Sequence, residues 1–195
     1  MKLRKAYIAA ANEMVRPALI FWLQSHGFTA SDMTFIHESR GVAIAYAAAM
    51  KQAIMDRVSM AVFCDNDALP SACKTDVFFT ENRYHLQCVK SDTGVEGSYD
   101  RHDAFHTMIW RASGESLTKI ALKAKELGLP LCRIETSDAG DIGAGCACSS
   151  IKDLAAKAGL TTGWIGVAGH APRQKSLVPR ICSYGDKSLK IYSGD

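Results

Sequence analysis

Two carboxylates one residue apart stand directly behind an apolar run in the first third of the chain. Residues 60–63 are apolar, and Asp65 and Asp67 follow them closely. A short apolar run is typical of a buried strand, and ligands bind outside the carboxyl ends of strands in open α/β sheets. Paired carboxylates supply the oxygen ligands that Mg²⁺ and Mn²⁺ prefer, often together with nucleotide phosphates. The pair therefore indicates a Mn²⁺ or Mg²⁺ site beside a diphosphate.

The same residues also fit an ordinary turn. Asp65, Asn66 and Asp67 are all turn-favouring residues, and Pro70 follows them. Because short motifs recur by chance, the spacing alone leaves a metal site and a structural loop both open.

The elements that would position the pair alternate regularly over the first third of the chain. Strands are predicted at residues 6–10, 33–37 and 60–65. Helices are predicted between them, the first from Asn12 to a stop at Gly27 and the second, rich in alanine, over residues 41–58. This alternation predicts a parallel sheet with right-handed crossovers and therefore an α/β fold.

The spacing changes in the rest of the chain, where longer loops separate the elements. Further strands are predicted at residues 84–89, 104–110, 131–134 and 164–169, with helices at 116–127 and 149–158. A polar loop over 91–103 and a Gly-rich loop over 138–148 lie between them. No internal repeat and no linker is evident, so residues 1–195 are predicted to form a single domain.

Composition excludes several classes of protein. A chain of 195 residues that is 48% hydrophobic can bury a sizeable core. Its 23 basic and 20 acidic residues are scattered, which argues against a nucleic-acid-binding face. The seven cysteines form neither a disulfide framework nor a zinc motif. With no signal-peptide pattern and no apolar stretch long enough to span a bilayer, we expect a cytoplasmic protein.

In this order of elements and motifs, the chain resembles small nucleotide-sugar glycosyltransferases of the GT-A fold, the family-2-like group. The resemblance covers about residues 5–172. It rests on the strand-helix-strand-helix-strand segment that ends in Asp65-Asn66-Asp67, and on a later strand followed by a basic residue and a helix. It also rests on a helix that ends in Ala-Gly at residues 158–159 and a strand that finishes in His170.

The resemblance implies a three-layer α/β/α domain with a mostly parallel sheet. Residues 1–75 would form a Rossmann-like nucleotide half, residues 76–172 an acceptor half, and residues 173–195 a tail. The implied activity is metal-dependent transfer of a sugar from a nucleoside-diphosphate sugar to an unknown acceptor.

The implied metal ligands are Asp65, Asp67 and His170, because a neutral imidazole beside two carboxylates suits Mn²⁺. Asp65 would also lie beside the ribose or a metal-bound water. Glu38 stands where the family often contacts the nucleobase, and its alternative interpretation is a helix cap. Arg40 and Lys51 would add positive charge near the diphosphate, although each also fits a solvated surface residue.

One departure from the family pattern concerns the catalytic base. Counting back from Gly159 places Ala147 and Cys148 where inverting members carry an acidic pair. Asp141 is the candidate base if the Gly-rich loop folds back towards the site. The alternatives are a retaining transferase, which requires no single base, and a catalytically inactive nucleotide-binding or assembly protein with the same fold.

Trp110 and Trp164 lie at predicted strand ends and could each stack on a sugar. Trp110 is the better candidate because Arg111 is its neighbour.

Overall fold

Apolar strands with helices between them form a seven-stranded mixed sheet. The computed structural model describes residues 3–9, 15, 17–37, 42–66, 68–70, 76–92, 107–131, 144–170, 180–184 and 187–192, some by their backbone alone. The amino-terminal elements are β1 (Arg4–Ala9), α1 (Pro17–Ser25), β2 (Met33–Ile36), α2 (Val42–Met55), β3 (Met60–Asp65), β4 (Ala68–Pro70) and α3 (Asp76–Thr80). The remaining elements are β5 (Leu86–Asp92), β6 (Thr107–Ser113), α4 (Gly114–Glu126), α5 (Ala144–Lys157), β7 (Thr162–His170), β8 (Arg180–Tyr184) and β9 (Lys187–Tyr192).

The strand order in the sheet is β2-β1-β3-β6-β5-β7-β4, and β8 and β9 form a separate antiparallel pair. Strands β1, β2, β3, β5 and β7 run in one direction, whereas β4 and β6 run in the other. The predicted α/β class and the parallel β2-β1-β3 segment are therefore confirmed. The sheet is mixed because β6 inserts antiparallel between β3 and β5 and because β4 pairs antiparallel with β7.

Local signals set most helix ends. Pro17 opens α1, where its fixed backbone angle favours the first helical position. Ser113 caps α4, because its hydroxyl accepts the amide hydrogen of Ser116. Gly27, Gly128 and Gly159 follow α1, α4 and α5 in the left-handed backbone region that ends helices.

Helices cover both faces of the sheet, and successive strand residues point alternately to each face. The α2 face is the side on which Tyr7, Ala61 and Phe63 pack with α2, α4 and α5. The α1 face is the side on which Ile8 and Val62 pack with α1 and α3. Burial on both faces explains why β1 and β3 are almost continuously apolar in the sequence.

Several predicted boundaries were wrong in the second half. The strand predicted at 104–110 is β6, which begins and ends three residues later. The helix predicted at 149–158 begins at Ala144, five residues earlier. In the region predicted as strand 131–134, residues 132–134 lie outside the described part of the chain. The short strand β4, the helix α3 and the β8–β9 pair were not predicted.

Arg111 is a buried cation on the α1 face that ties β6 to α3 and to the segment after it. Its guanidinium donates to the carbonyls of Phe78 and Glu81, each at 2.5 Å, and to the Asn82 side chain at 3.0 Å. Burial lowers the pKa of Arg111 from its ordinary value. Gln87, its neighbour on β5, also donates to the Phe78 carbonyl.

We predict that Arg111→Met lowers the free energy of unfolding by roughly 3 kcal/mol, because it leaves carbonyl oxygens that accepted from a charged donor without that donor. Urea unfolding measures the loss. The matched control is Arg83→Met, which removes an ion pair to Glu81 at the surface of the same segment and should cost less than about 1 kcal/mol. Equal losses in the two variants would contradict a structural role for the buried arginine.

The carboxyl-terminal end of α2 is tied to β1 through Asp56, the residue that directly follows the helix. Lys5 and Tyr7 donate to one carboxylate oxygen at 2.8 Å each, and Gln52 donates to the other at 2.8 Å. Burial opposes ionisation of Asp56, but these three donors hold the pKa of its carboxyl below the usual range.

A lowered pKa in the folded state predicts stabilisation that is present above the unfolded value of about 4 and is lost as the pH falls through the folded value. We therefore expect Asp56→Asn to reduce stability by roughly 2 kcal/mol near neutral pH and by progressively less below about pH 4. Thermal unfolding of both proteins across the acid range checks this. If the difference in stability between the two proteins stays constant as the pH falls through the acid range, ionisation of Asp56 does not contribute to stability.

Candidate functional site

The candidate site lies at the carboxyl edge of the sheet, the edge at which β1, β2, β3, β5 and β7 end. Asp65 is the last residue of β3 and pairs with Ala9, the last residue of β1. The amide of Asn66 then donates to the Ala9 carbonyl at 3.2 Å, so the chain stays against β1 for one residue beyond the strand. The sequence prediction that an acid is delivered at a strand end is confirmed for Asp65.

Asp65 is buried beneath α2, with 7% of its surface exposed. The hydroxyl of Tyr46, which is itself fully buried, donates to Asp65 Oδ1 at 2.6 Å. A buried carboxyl group without hydrogen-bond partners would be strongly unfavourable, so this contact stabilises Asp65 in its buried position.

Aromatic rings on the α2 face hold Tyr46 in place. Its ring packs against Trp110 with centroids 6.4 Å apart, and Trp110 stacks on Phe63 with centroids 4.1 Å apart. Phe63 in turn stacks on Tyr7 at 5.6 Å. Because Phe63 and Trp110 are also opposite each other on β3 and β6, the stack belongs to the sheet.

The proposal that Trp110 stacks on a sugar was wrong. Trp110 and Arg111 lie in the middle of β6 and not at a turn after it. Trp110 has no exposed surface, so its ring contacts the core, and its indole nitrogen has no hydrogen-bond partner among the described residues. Arg111 faces the opposite side of the sheet, where it has the structural role described above.

His170 is brought to the Asp65-Asn66-Asp67 segment by strand pairing. β4 pairs antiparallel with β7, and Ala68 lies directly opposite His170. Opposed Cα atoms in antiparallel strands are about 5 Å apart, and consecutive Cα atoms are about 3.8 Å apart. The Cα of His170 therefore lies about 5 Å from that of Ala68, the residue that follows Asp67 in the sequence.

The backbone pairing of Ala68 with His170 is compatible with a shared ion at this edge. Asp67 itself, and the side chain of His170, lie outside the described part of the structure. Among the residues that are described, no group of three or more His, Cys, Asp or Glu side chains could hold a metal ion. Carboxylates and an imidazole suit Mn²⁺ chemically, so His170 and the two acids as metal ligands stay a prediction.

The start of α5 determines where the candidate residues for the catalytic base lie relative to that helix. Ala147 and Cys148, where the family resemblance expects acids, lie within α5 and not before it. α5 packs beside α2 and leads into β7, so its first residue, Ala144, lies towards the carboxyl edge. Asp141 precedes Ala144 by three residues in the sequence but is outside the described residues.

Three other predicted residues have different outcomes. Glu38 and Arg40 follow β2 but lie outside the described residues, so their proposed contacts with a nucleotide stay predictions. Lys51 is exposed on α2, five residues after Tyr46 and about 140° around the helix from it. The geometry disfavours Lys51 as a phosphate contact, because its side chain leaves α2 in a different direction from Tyr46.

Sequence reasoning missed Tyr46. Its neighbours Ala45, Ala47, Ala48 and Ala49 indicated close packing of the helix, but nothing in the sequence paired its hydroxyl with Asp65. The available signal was a single tyrosine in an alanine-rich helix that follows directly on a strand end.

Comparisons with known proteins locate the fold and do not assign an activity. No family model matches the chain, and no curated protein matches it. Among solved structures, the chain is similar to the viral protein A197 from STIV, with a TM-score of 0.52 and 14% identity. The match covers 98% of this chain and 94% of that one, so it supports a shared overall fold. No helix in the described ranges is long and apolar enough to cross a membrane.

Proposed function

We propose that the chain is a metal-dependent glycosyltransferase that uses a nucleoside-diphosphate sugar. The observation that carries the proposal is the pairing of Ala68 with His170, because it joins two motifs more than a hundred residues apart in the chain at one edge of the sheet. Such proximity would let the two motifs share an ion, whereas a simple turn would not need it.

The fold supports this assignment. Parallel strands β2, β1 and β3 with their connecting helices are consistent with a Rossmann-like nucleotide half. Helices on both faces are consistent with the three-layer arrangement of the GT-A fold. The likeness to A197 from STIV supports the overall fold of the chain and not its activity.

Each residue would have a separate role. Asp67 and His170 would hold Mn²⁺ or Mg²⁺ with Asp65 beside them. The bound cation supplies positive charge against the diphosphate that departs from the sugar. Asp141, just before α5, would accept the proton of the acceptor hydroxyl.

Calorimetry with Mn²⁺ and UDP, GDP, ADP or CDP tests the binding site. We expect the intact chain to bind one of these only when Mn²⁺ is present, and Asp67→Ala and His170→Ala each to weaken that binding more than about tenfold. Asp153→Ala, on the exposed side of α5, and His85→Ala, before β5 at the opposite edge, are the matched controls. Binding that ignores Mn²⁺, or that survives both site variants, would refute the metal site.

A second measurement separates catalysis from binding. For the matching nucleotide sugar, Asp141→Asn should slow hydrolysis or transfer by roughly a hundredfold, because it removes the base, while leaving Mn²⁺-dependent binding intact. Unchanged turnover in this variant would exclude Asp141 as the base.

The second candidate is a nucleotide-binding or assembly protein without catalysis. It is favoured by Ala147 and Cys148, which stand where the family resemblance expects acids. Mn²⁺-dependent binding with no turnover of any nucleotide sugar would select this candidate over the transferase.

A further inference from the structure

We propose that Tyr46 is a positioning residue for the diphosphate site, acting through the Asp65 carboxylate. This inference rests on the proposed function, and it goes beyond that function by assigning a role to a helix residue outside the metal-ligand set. The observation is the buried hydrogen bond of 2.6 Å from the Tyr46 hydroxyl to Asp65 Oδ1.

The bond determines where the carboxylate points. Hydrogen bonds from a hydroxyl to a carboxylate are among the stronger ones in proteins, and this one lies away from water. If Asp65 rotated away from Tyr46, it would leave both a buried hydroxyl and a buried carboxylate oxygen to find new partners. One oxygen of Asp65 is therefore directed to α2, and the orientation of the other follows from it.

Tyr46 is well placed to fix this orientation because it cannot readily move. Ala45, Ala49 and Met50 are buried around it on the same helix, so α2 cannot rotate without disrupting the core. Its ring packs against Trp110. A group whose own position is set by core packing can hold a site residue more accurately than a surface side chain can.

Two further contacts of this segment act on the main chain. The Asn66 amide bonds to the Ala9 carbonyl, and Ala68 pairs with His170. The Tyr46 contact acts on the Asp65 side chain. Removing the hydroxyl should thus loosen the orientation of the carboxylate while β3, β4 and β7 keep their places.

The test compares two tyrosines that donate to buried or half-buried aspartates at opposite ends of α2. Tyr46→Phe should weaken Mn²⁺-dependent binding of the matching nucleoside diphosphate about tenfold, since it removes a hydrogen bond to a charged group that orients the site. Tyr7→Phe, which removes the bond to Asp56, should lower the melting temperature comparably and leave binding unchanged. A purely structural role for Tyr46 predicts that both variants behave alike.

A double variant checks that Tyr46 acts through Asp65. Adding Tyr46→Phe to Asp65→Ala should weaken binding no further than Asp65→Ala alone. If Tyr46→Phe binds as tightly as the intact chain, or if its effect adds in full to that of Asp65→Ala, the inference is overturned while the proposed function stands. If the intact chain binds none of the four diphosphates with Mn²⁺, the proposed function fails and the inference fails with it.

Discussion

The burial of a carboxylate at the end of β3 is the constraint on which the rest of the site depends. Removing an ionised group from water is unfavourable unless hydrogen bonds replace the lost solvent, and Tyr46 supplies one of them. Tyr46 can reach Asp65 only if its helix, α2, packs closely against the sheet. The small residues of α2 permit that approach, and the Phe63–Trp110 stack forms the surface against which Tyr46 rests.

α2 is held by polar bonds at both ends and by apolar packing between them. At the carboxyl edge Tyr46 of the helix bonds to Asp65 of β3. At the opposite edge Tyr7 and Lys5 of β1 bond to Asp56, just after the helix ends. The two aspartates have different environments. Lys5 places a cation beside Asp56, which is partly exposed, whereas Asp65 is buried and accepts a hydrogen bond from a tyrosine hydroxyl.

How far the sequence predicts the structure depends on the distance between interacting residues. The amino-terminal strands and helices follow local patterns, so their order and the position of Asp65 were predicted from apolar runs and helix-ending glycines. The insertion of β6 between β3 and β5 depends on contacts between distant segments, which no local pattern encodes. The predicted strand began and ended three residues too early, so Trp110 was placed at the end of the strand. In the structure Trp110 lies in the buried centre of β6, which is why its assignment to a sugar site was wrong. α5 begins earlier than predicted because Ser149 looked like a cap but is helical.

The mixed topology explains why residues near the end of the chain meet a motif near its first third. With β6 reversed, β5 and β7 again run parallel to β3, so β7 ends at the same edge as Asp65. Only two residues separate β3 from β4, yet β4 pairs with β7. In a flat sheet, four strand spacings would separate β3 from β4 by about 19 Å. The Cα atoms of Asp65 and Ala68 can be at most about 11 Å apart, because only three peptide units join them. The sheet therefore curls, and the carboxyl end of β7, with His170 opposite Ala68, lies close to the carboxyl end of β3.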